Sequence, residues 1–184
     1  MTERVVEDPV LDQRIIFRRV LAEDGGEDLQ LEMWVEPGGG VLVAHVHPQM
    51  EERFHVIAGE VTFLVGRKRV VAGPGQSATV PAGVRHGYQN TGRETAHATC
   101  QVRHPDDAQL QQFLEDAAAL NRAGAFTKRG IPKSVKAALQ GAVLLNHHRE
   151  MVLFTMPPAA IQRLVLPPLA RIGEKRGYRV GAFD

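Results

Sequence analysis

A single cysteine, Cys100, stands in a chain of 184 residues, so no intrachain disulfide can form and the fold requires no oxidising compartment. No apolar run approaches the roughly 18 residues of a membrane-crossing helix. The opening Met1-Thr2-Glu3-Arg4-Val5-Val6-Glu7-Asp8 lacks the basic and then apolar order of a secretory leader, and a cytoplasmic location is the expectation. An excess of charge of one sign is missing too: 22 Lys and Arg against 21 Asp and Glu leave a net charge of +1 at pH 7. That balance supplies no broad basic field for nucleic acid and no acidic tail. Internal repeats and low-complexity tracts are absent. The 43% hydrophobic content suffices for one domain with a core plus an appendage.

Two stretches organise what is present. Residues 39–60 read GGVLVAHVHPQMEERFHVIAGE and residues 75–90 read GQSATVPAGVRHGYQN. Between them they carry four potential metal ligands. His45 and His47 stand two apart in an apolar run, and side chains two apart on a strand project from one face. Both imidazoles can then reach one ion. Glu52 follows a Pro-containing turn, and His86 follows the Pro81-Ala82-Gly83 corner, so that a hairpin and a returning strand bring all four together. His55 points the other way from Glu52, Phe54 and Val56 and is excluded.

The surrounding chain alternates as strands do. Residues 15–21 and 28–35 flank a turn at Glu23-Asp24-Gly25-Gly26, and Leu29, Leu31, Met33 and Val35 form a buried face. Trp34 then lies on the outer face, covered by a neighbouring loop or by a second subunit. Residues 61–65 and 70–72 make a hairpin about Gly66-Arg67-Lys68-Arg69, whose basic tip is solvated. Tyr88 shares a face with His86; its hydroxyl bonds a ligand or is satisfied by a neighbouring side chain. In the strand over 95–103, Ala96, Ala98, Cys100 and Val102 alternate with polar residues. Cys100 either lines the interior or is a small buried hydrophobe.

Beyond Arg103 the period becomes helical. His104-Pro105-Asp106-Asp107 opens a helix that ends near Ala123-Gly124, with Leu110, Phe113, Leu114, Ala117 and Leu120 on one face. A second helix is expected over 134–147. A third segment over 159–172 is interrupted by Pro167-Pro168. These helices show no evident core of their own and are expected on the barrel or on a partner subunit. His147 and His148 read as surface residues. The basic, apolar tail from Ile161 onward docks on its own barrel in preference to an anionic membrane surface.

The first stretch fits G-x5-H-x-H-x4-E-x6-G from Gly39 to Gly59, and the second fits G-x5-P-x-G-x2-H-x3-N from Gly75 to Asn90. These resemble the two signature motifs of the cupin superfamily at every motif position, over about half of the chain. The resemblance implies a mainly β fold, a cupin-type double-stranded β-helix (jelly-roll barrel) over residues 1–104, followed by a C-terminal α-helical extension over 105–184. It implies His45, His47, Glu52 and His86 as ligands of one divalent transition metal (Fe, Mn, Ni, Co or Zn), with Gly39, Gly59, Gly75, Pro81, Gly83 and Asn90 as framework. Many cupins pair through their sheets, so a homodimer is expected.

Leu31, Met33, Val41, Val43, Phe54 and Val56 make the inner face apolar, and no Arg or Lys cluster faces inward to hold a sugar phosphate. The expected partner is an apolar, oxygen-bearing small molecule. An oxygenase ranks ahead of a cyclase, isomerase or lyase, with a non-catalytic binding protein as the rival class, and Tyr88 is the candidate catalytic side chain.

Overall fold

The computed structural model describes residues 4–22, 25–103 and 107–183. The expected turn residues Glu23 and Asp24 and the helix openers His104, Pro105 and Asp106 lie outside them. The fold is mainly β, two antiparallel sheets facing each other, with three helices toward the C-terminus. One sheet runs β1 (Val5–Asp8), β2 (Gln13–Leu21), β3 (Glu27–Val35), β10 (Ala96–Arg103), β5 (Glu51–Ala58), β8 (Ser77–Val80). The other runs β11 (Leu153–Phe154), β4 (His45–Val46), β9 (His86–Asn90), β6 (Val61–Val65), β7 (Lys68–Ala72).

Alternation decides the inner face. Leu29, Leu31, Met33 and Val35 of β3 are buried, and so are Ala96, Ala98, Cys100 and Val102 opposite them on β10. The large members of this set contribute about 1.5–3 kcal/mol each by leaving water. Phe54 and Phe63 join the two sheets with ring centroids 4.9 Å apart. On the outer face Trp34 is half-buried by side chains of its two neighbouring strands. His97 stacks on it at 4.6 Å and the Arg14 guanidinium lies 5.3 Å from the ring centroid. Neither a loop nor a subunit is needed to cover the indole.

Asn90 and Gly83 tie the second motif to the chain in and around the first. Asn90, with no exposed surface, donates from Nδ2 to the carbonyls of Val35 and Glu94 and accepts from the Gly92 N–H. Its backbone bonds to both Gly38 and Gly39. Gly83, at φ +76, turns the chain so that its N–H donates to the His47 carbonyl at 2.8 Å.

Beyond the barrel, α1 (Asp107–Arg122), α2 (Val135–His147) and α3 (Ala159–Lys175) follow. The Ser134 side chain caps α2 by accepting from the Ala137 N–H. Contrary to expectation the helices do have a core: Leu120, Ala125, Val143, Leu144, Ala170 and Phe183 form their own buried cluster. Leu110 and Ala118 of α1, with Met151 and Val152, join the barrel core instead. His148 is a second correction, buried rather than on the surface, its ring edge-on to Phe113 at 5.5 Å.

The third helix also departs from the reading. It continues through Pro167 and Pro168, because Arg163 and Leu164, whose carbonyls lose their helical partners, are exposed to water. Its docking surface is α2. A Cβ on Gly173 would stand 2.7 Å from Val143 Cγ2 and 3.0 Å from the Leu139 carbonyl oxygen, so only glycine permits this approach. The apolar stripe of Ile161, Leu164, Val165 and Ile172 consequently faces outward. No helix among the described residues is long and apolar enough to cross a membrane.

Candidate metal centre and its pocket

His45 and His86 are register partners across β4 and β9, so their side chains rise from one face of the second sheet. His47 follows just beyond β4. The strand expected from Val41 is shorter than the alternation implies, since ladder pairing covers only His45 and Val46. Val41, Val43, His45 and His47 nevertheless all line one cavity. Glu52 enters from the opposite sheet, on β5, so β4 and β5 do not make the expected hairpin. Candidate ligands from facing sheets are held by the whole barrel rather than by one turn.

One ring nitrogen from each of His45, His47 and His86 lies within 4.8 Å of the others, and all three residues are buried. The Glu52 carboxylate stands 2.8 Å from His86 Nε2 and 3.8 Å from His47 Nε2. Each imidazole turns its Nδ1 to a backbone carbonyl: His45 to Val43 at 3.1 Å, His47 to Met151 at 2.8 Å, His86 to Val84 at 2.8 Å. A carbonyl only accepts, so each Nδ1 carries the proton, and a neutral ring then presents the Nε2 lone pair to the centre. His86 Nε2 and Glu52 Oε2 are buried without a hydrogen-bond partner although close together. Two inward lone pairs at that distance repel unless a cation, metal or proton, sits between them.

Protonation follows the same logic. Burial, helped by the fields of His86 and His47, brings the His45 pKa down to about 3, which keeps that ring neutral. For Glu52 burial acts upward but is outweighed by His86 and the other imidazoles, leaving its pKa at about 2 and the group ionised. Burial pulls His86 downward, but its contact with Glu52 prevails and raises it. Three nitrogen donors and one carboxylate fit a divalent transition ion. His55, as expected, is elsewhere, exposed beside Ser77.

The cluster opens into a cavity of about 210 Å³. Leu31, Met33, Val41, Val43 and Phe54 line it as expected, whereas Val56 is buried in the core behind. Cys100 lines it as well, and burial raises its thiol pKa well above the usual range. The Tyr88 hydroxyl is satisfied locally, donating to Gln13 Oε1 at 2.6 Å, and burial raises its pKa too. The roof comes from the C-terminal region: Leu110, Phe113 and Leu114 of α1, Phe126 and Lys128 of the following loop, and Leu144 of α2. An ion pair between Lys128 and Asp12 ties that loop to the barrel rim.

Several residues at the site escaped the sequence reading. Met151 acts through its backbone carbonyl, which leaves no side-chain signature. Phe154 pairs with His45 through β11 and lies edge-on to its ring at 6.3 Å. Gln13 had a usable signal, two positions before buried Ile15 on the same face, but the expected strand began at Ile15 and stopped short of it.

A small β-barrel of two facing sheets, with a buried three-histidine cluster at one end of an apolar cavity, defines the class. Residues 31–102 match the family model described as a cupin domain, so the barrel is a cupin domain. No curated protein matches it. Among solved structures the chain is similar to a predicted oxalate decarboxylase from Thermotoga maritima, at 19% identity over 55% of this chain and 91% of that one, TM-score 0.44. It is similar to a cupin-superfamily sugar phosphate isomerase from Silicibacter pomeroyi, at 20% identity over 56% and 69%, TM-score 0.44. An RmlC-like cupin from Shewanella frigidimarina gives 21% identity over 57% and 88%, TM-score 0.44. The activities in those descriptions belong to those proteins.

Proposed function

We propose that the protein is a metal-dependent enzyme acting on an apolar, oxygen-bearing small molecule, with His45, His47, His86 and Glu52 as the metal ligands. The observation that carries this reading is the set of three carbonyl-anchored imidazoles converging with a buried carboxylate at the end of an apolar cavity. When bound, a divalent transition metal supplies a Lewis acid with an open position for an oxygen donor and, if it is iron, chemistry with dioxygen.

The chain's own residues then set the outcome. The apolar lining and the helical roof exclude water and orient the body of the substrate. Proton transfer has few agents in the cavity. Tyr88 and Cys100 stay protonated, and the Asp8 carboxylate is occupied by the N–H groups of Val10 and Leu11 and by Asn121. A cyclase, isomerase or lyase needs a base to move a proton, so this scarcity favours an oxygenase. Tyr88 holds Gln13 in this reading and does not take up a proton.

The test is to load the metal-free protein separately with Fe(II), Mn(II), Ni(II) and Zn(II) and to incubate each form with flavonols, catechols and β-diketones, with and without oxygen. Oxygen consumption confined to one metal form supports the oxygenase; turnover without oxygen assigns a cyclase, isomerase or lyase; tight binding without turnover assigns the binding class.

We also propose a homodimer. The support is α3: Ile161, Leu164, Val165 and Ile172 are between 41% and 75% exposed along one helix face. A two-fold pairing buries such a stripe against itself.

A further inference from the structure

The cavity has a second polar pole that its metal-ligand cluster does not explain. Asp8 and Gln13 are register partners on β1 and β2, and both are buried, at 4% and 7% exposure, in the wall of the cavity. Asp8 is fully engaged: Oδ1 accepts from Val10 and Leu11 at 3.0 Å each, and Oδ2 accepts from Asn121 of α1 at 2.7 Å. It holds its strand end and the helical roof together. Gln13 is engaged on one side only. Its Oε1 accepts from the Tyr88 hydroxyl, and among the described residues its Nε2 makes no hydrogen bond.

We propose that Gln13 is a specificity-determining anchor that donates from Nε2 to an acceptor oxygen on the ligand, with Tyr88 as the positioning residue that fixes the amide. An amide donor in an apolar wall costs free energy while unpaired, so a ligand that supplies the acceptor gains on binding. His86 and Tyr88 are two residues apart on β9, about 7 Å along the strand, so the Tyr88–Gln13 pair stands one strand repeat away from the histidine cluster. The ligand class follows: an apolar body with one oxygen donor directed to the histidine cluster and a carbonyl at its far end. The orientation of this ligand rests on the metal-site reading above; the preference for a carbonyl rests on Gln13 alone.

The experiment is calorimetric binding of two probes, 4-hydroxyacetophenone and 4-ethylphenol, to the full chain with and without Zn(II), a metal that undergoes no redox change. They share the phenol and differ in the carbonyl. The zinc-loaded wild type is expected to prefer the ketone about tenfold, the value of one buried hydrogen bond. Gln13→Leu is expected to abolish the preference by weakening the ketone alone. Tyr88→Phe, which leaves the amide present but no longer fixed, is expected to reduce it by part of that factor. An undiminished preference in Gln13→Leu overturns the proposal, as does a wild type that does not discriminate or binds neither probe. Ketone preference that persists with equal affinity in the absence of zinc upholds Gln13 and instead counts against the metal as the other anchor. Should Gln13→Leu fail to fold, a preference unchanged in Tyr88→Phe overturns the positioning of the amide.

Discussion

The Nδ1 of His47 donates to the carbonyl oxygen of Met151 at 2.8 Å, across 104 residues of sequence. A ligand candidate in the barrel is thus oriented by the C-terminal region. His148 caps the C-terminus of α2, and the N–H groups of Met151 and Val152 both bond back to its carbonyl. That turn presents the Met151 carbonyl to His47, and β11 then pairs with β4 beside it. Outer partners of this kind fix the tautomer and direction of a metal-binding ring. The extension roofs the cavity and also completes the histidine cluster.

Gln162 of α3 anchors this arrangement through its Nε2, which donates to the Phe154 carbonyl at 2.6 Å and to the Pro157 carbonyl. Gln162→Leu is expected to loosen β11 and to lower metal affinity about tenfold, at the low end for loss of an outer partner. Chelator competition measures it. Unchanged affinity would show that β11 does not brace the cluster.

Close docking of α3 on α2 makes Gly173 a sensitive position. The Cβ of Gly173→Ala meets Val143 and the Leu139 backbone at 2.7 and 3.0 Å, and overpacking of this kind costs about 1–3 kcal/mol. Thermal melting should show the loss. An unchanged melting temperature would mean that the helices are not so tightly apposed.

Glu32 gives the barrel a pH-dependent contribution. Its contact with Arg18 at 2.6 Å comes first among the causes that outweigh partial burial and hold its pKa below 4.5, with His97 at 3.1 Å adding to it. The folded pKa is depressed, so this contribution is fully present above about 4.5 and is lost as pH falls through the folded value. Wild type is expected to exceed Glu32→Gln in melting temperature at pH 7, with the gap closing as pH falls through the depressed folded value. A gap that widens in acid contradicts the sign.

The outward stripe of α3 predicts a dimeric mass by light scattering at micromolar concentration. Leu164→Glu, at a position 75% exposed, is expected to yield monomer without loss of folding. A monomeric wild type refutes the proposed dimer.

The barrel was legible because one face of each strand is buried, which writes period two into residues such as Leu29, Leu31, Met33 and Val35. The histidine cluster was legible because two histidines at strand spacing and a third histidine fall at motif positions; the outward direction of His55 followed from the same alternation, which left the direction of Cys100 open. Short elements left no period to read: β1 has four residues and β11 two. Pro167 and Pro168 misled, because a proline pair is tolerated where the freed carbonyls meet water. His148 misled as well, since burial against Phe113 depends on a tertiary contact that sequence spacing does not encode. Most important for the site, the Met151 carbonyl is a backbone group, and any residue there could supply it.

Metal content tests the central claim most directly. Protein purified as wild type, His47→Ala and His55→Ala, with folding checked by circular dichroism, is assayed by elemental analysis for divalent transition metals. We predict about one equivalent in wild type and in His55→Ala and a sharp loss in folded His47→Ala, because His47 is one of only three imidazole donors in the cluster. Equal metal content in wild type and His47→Ala would contradict the account.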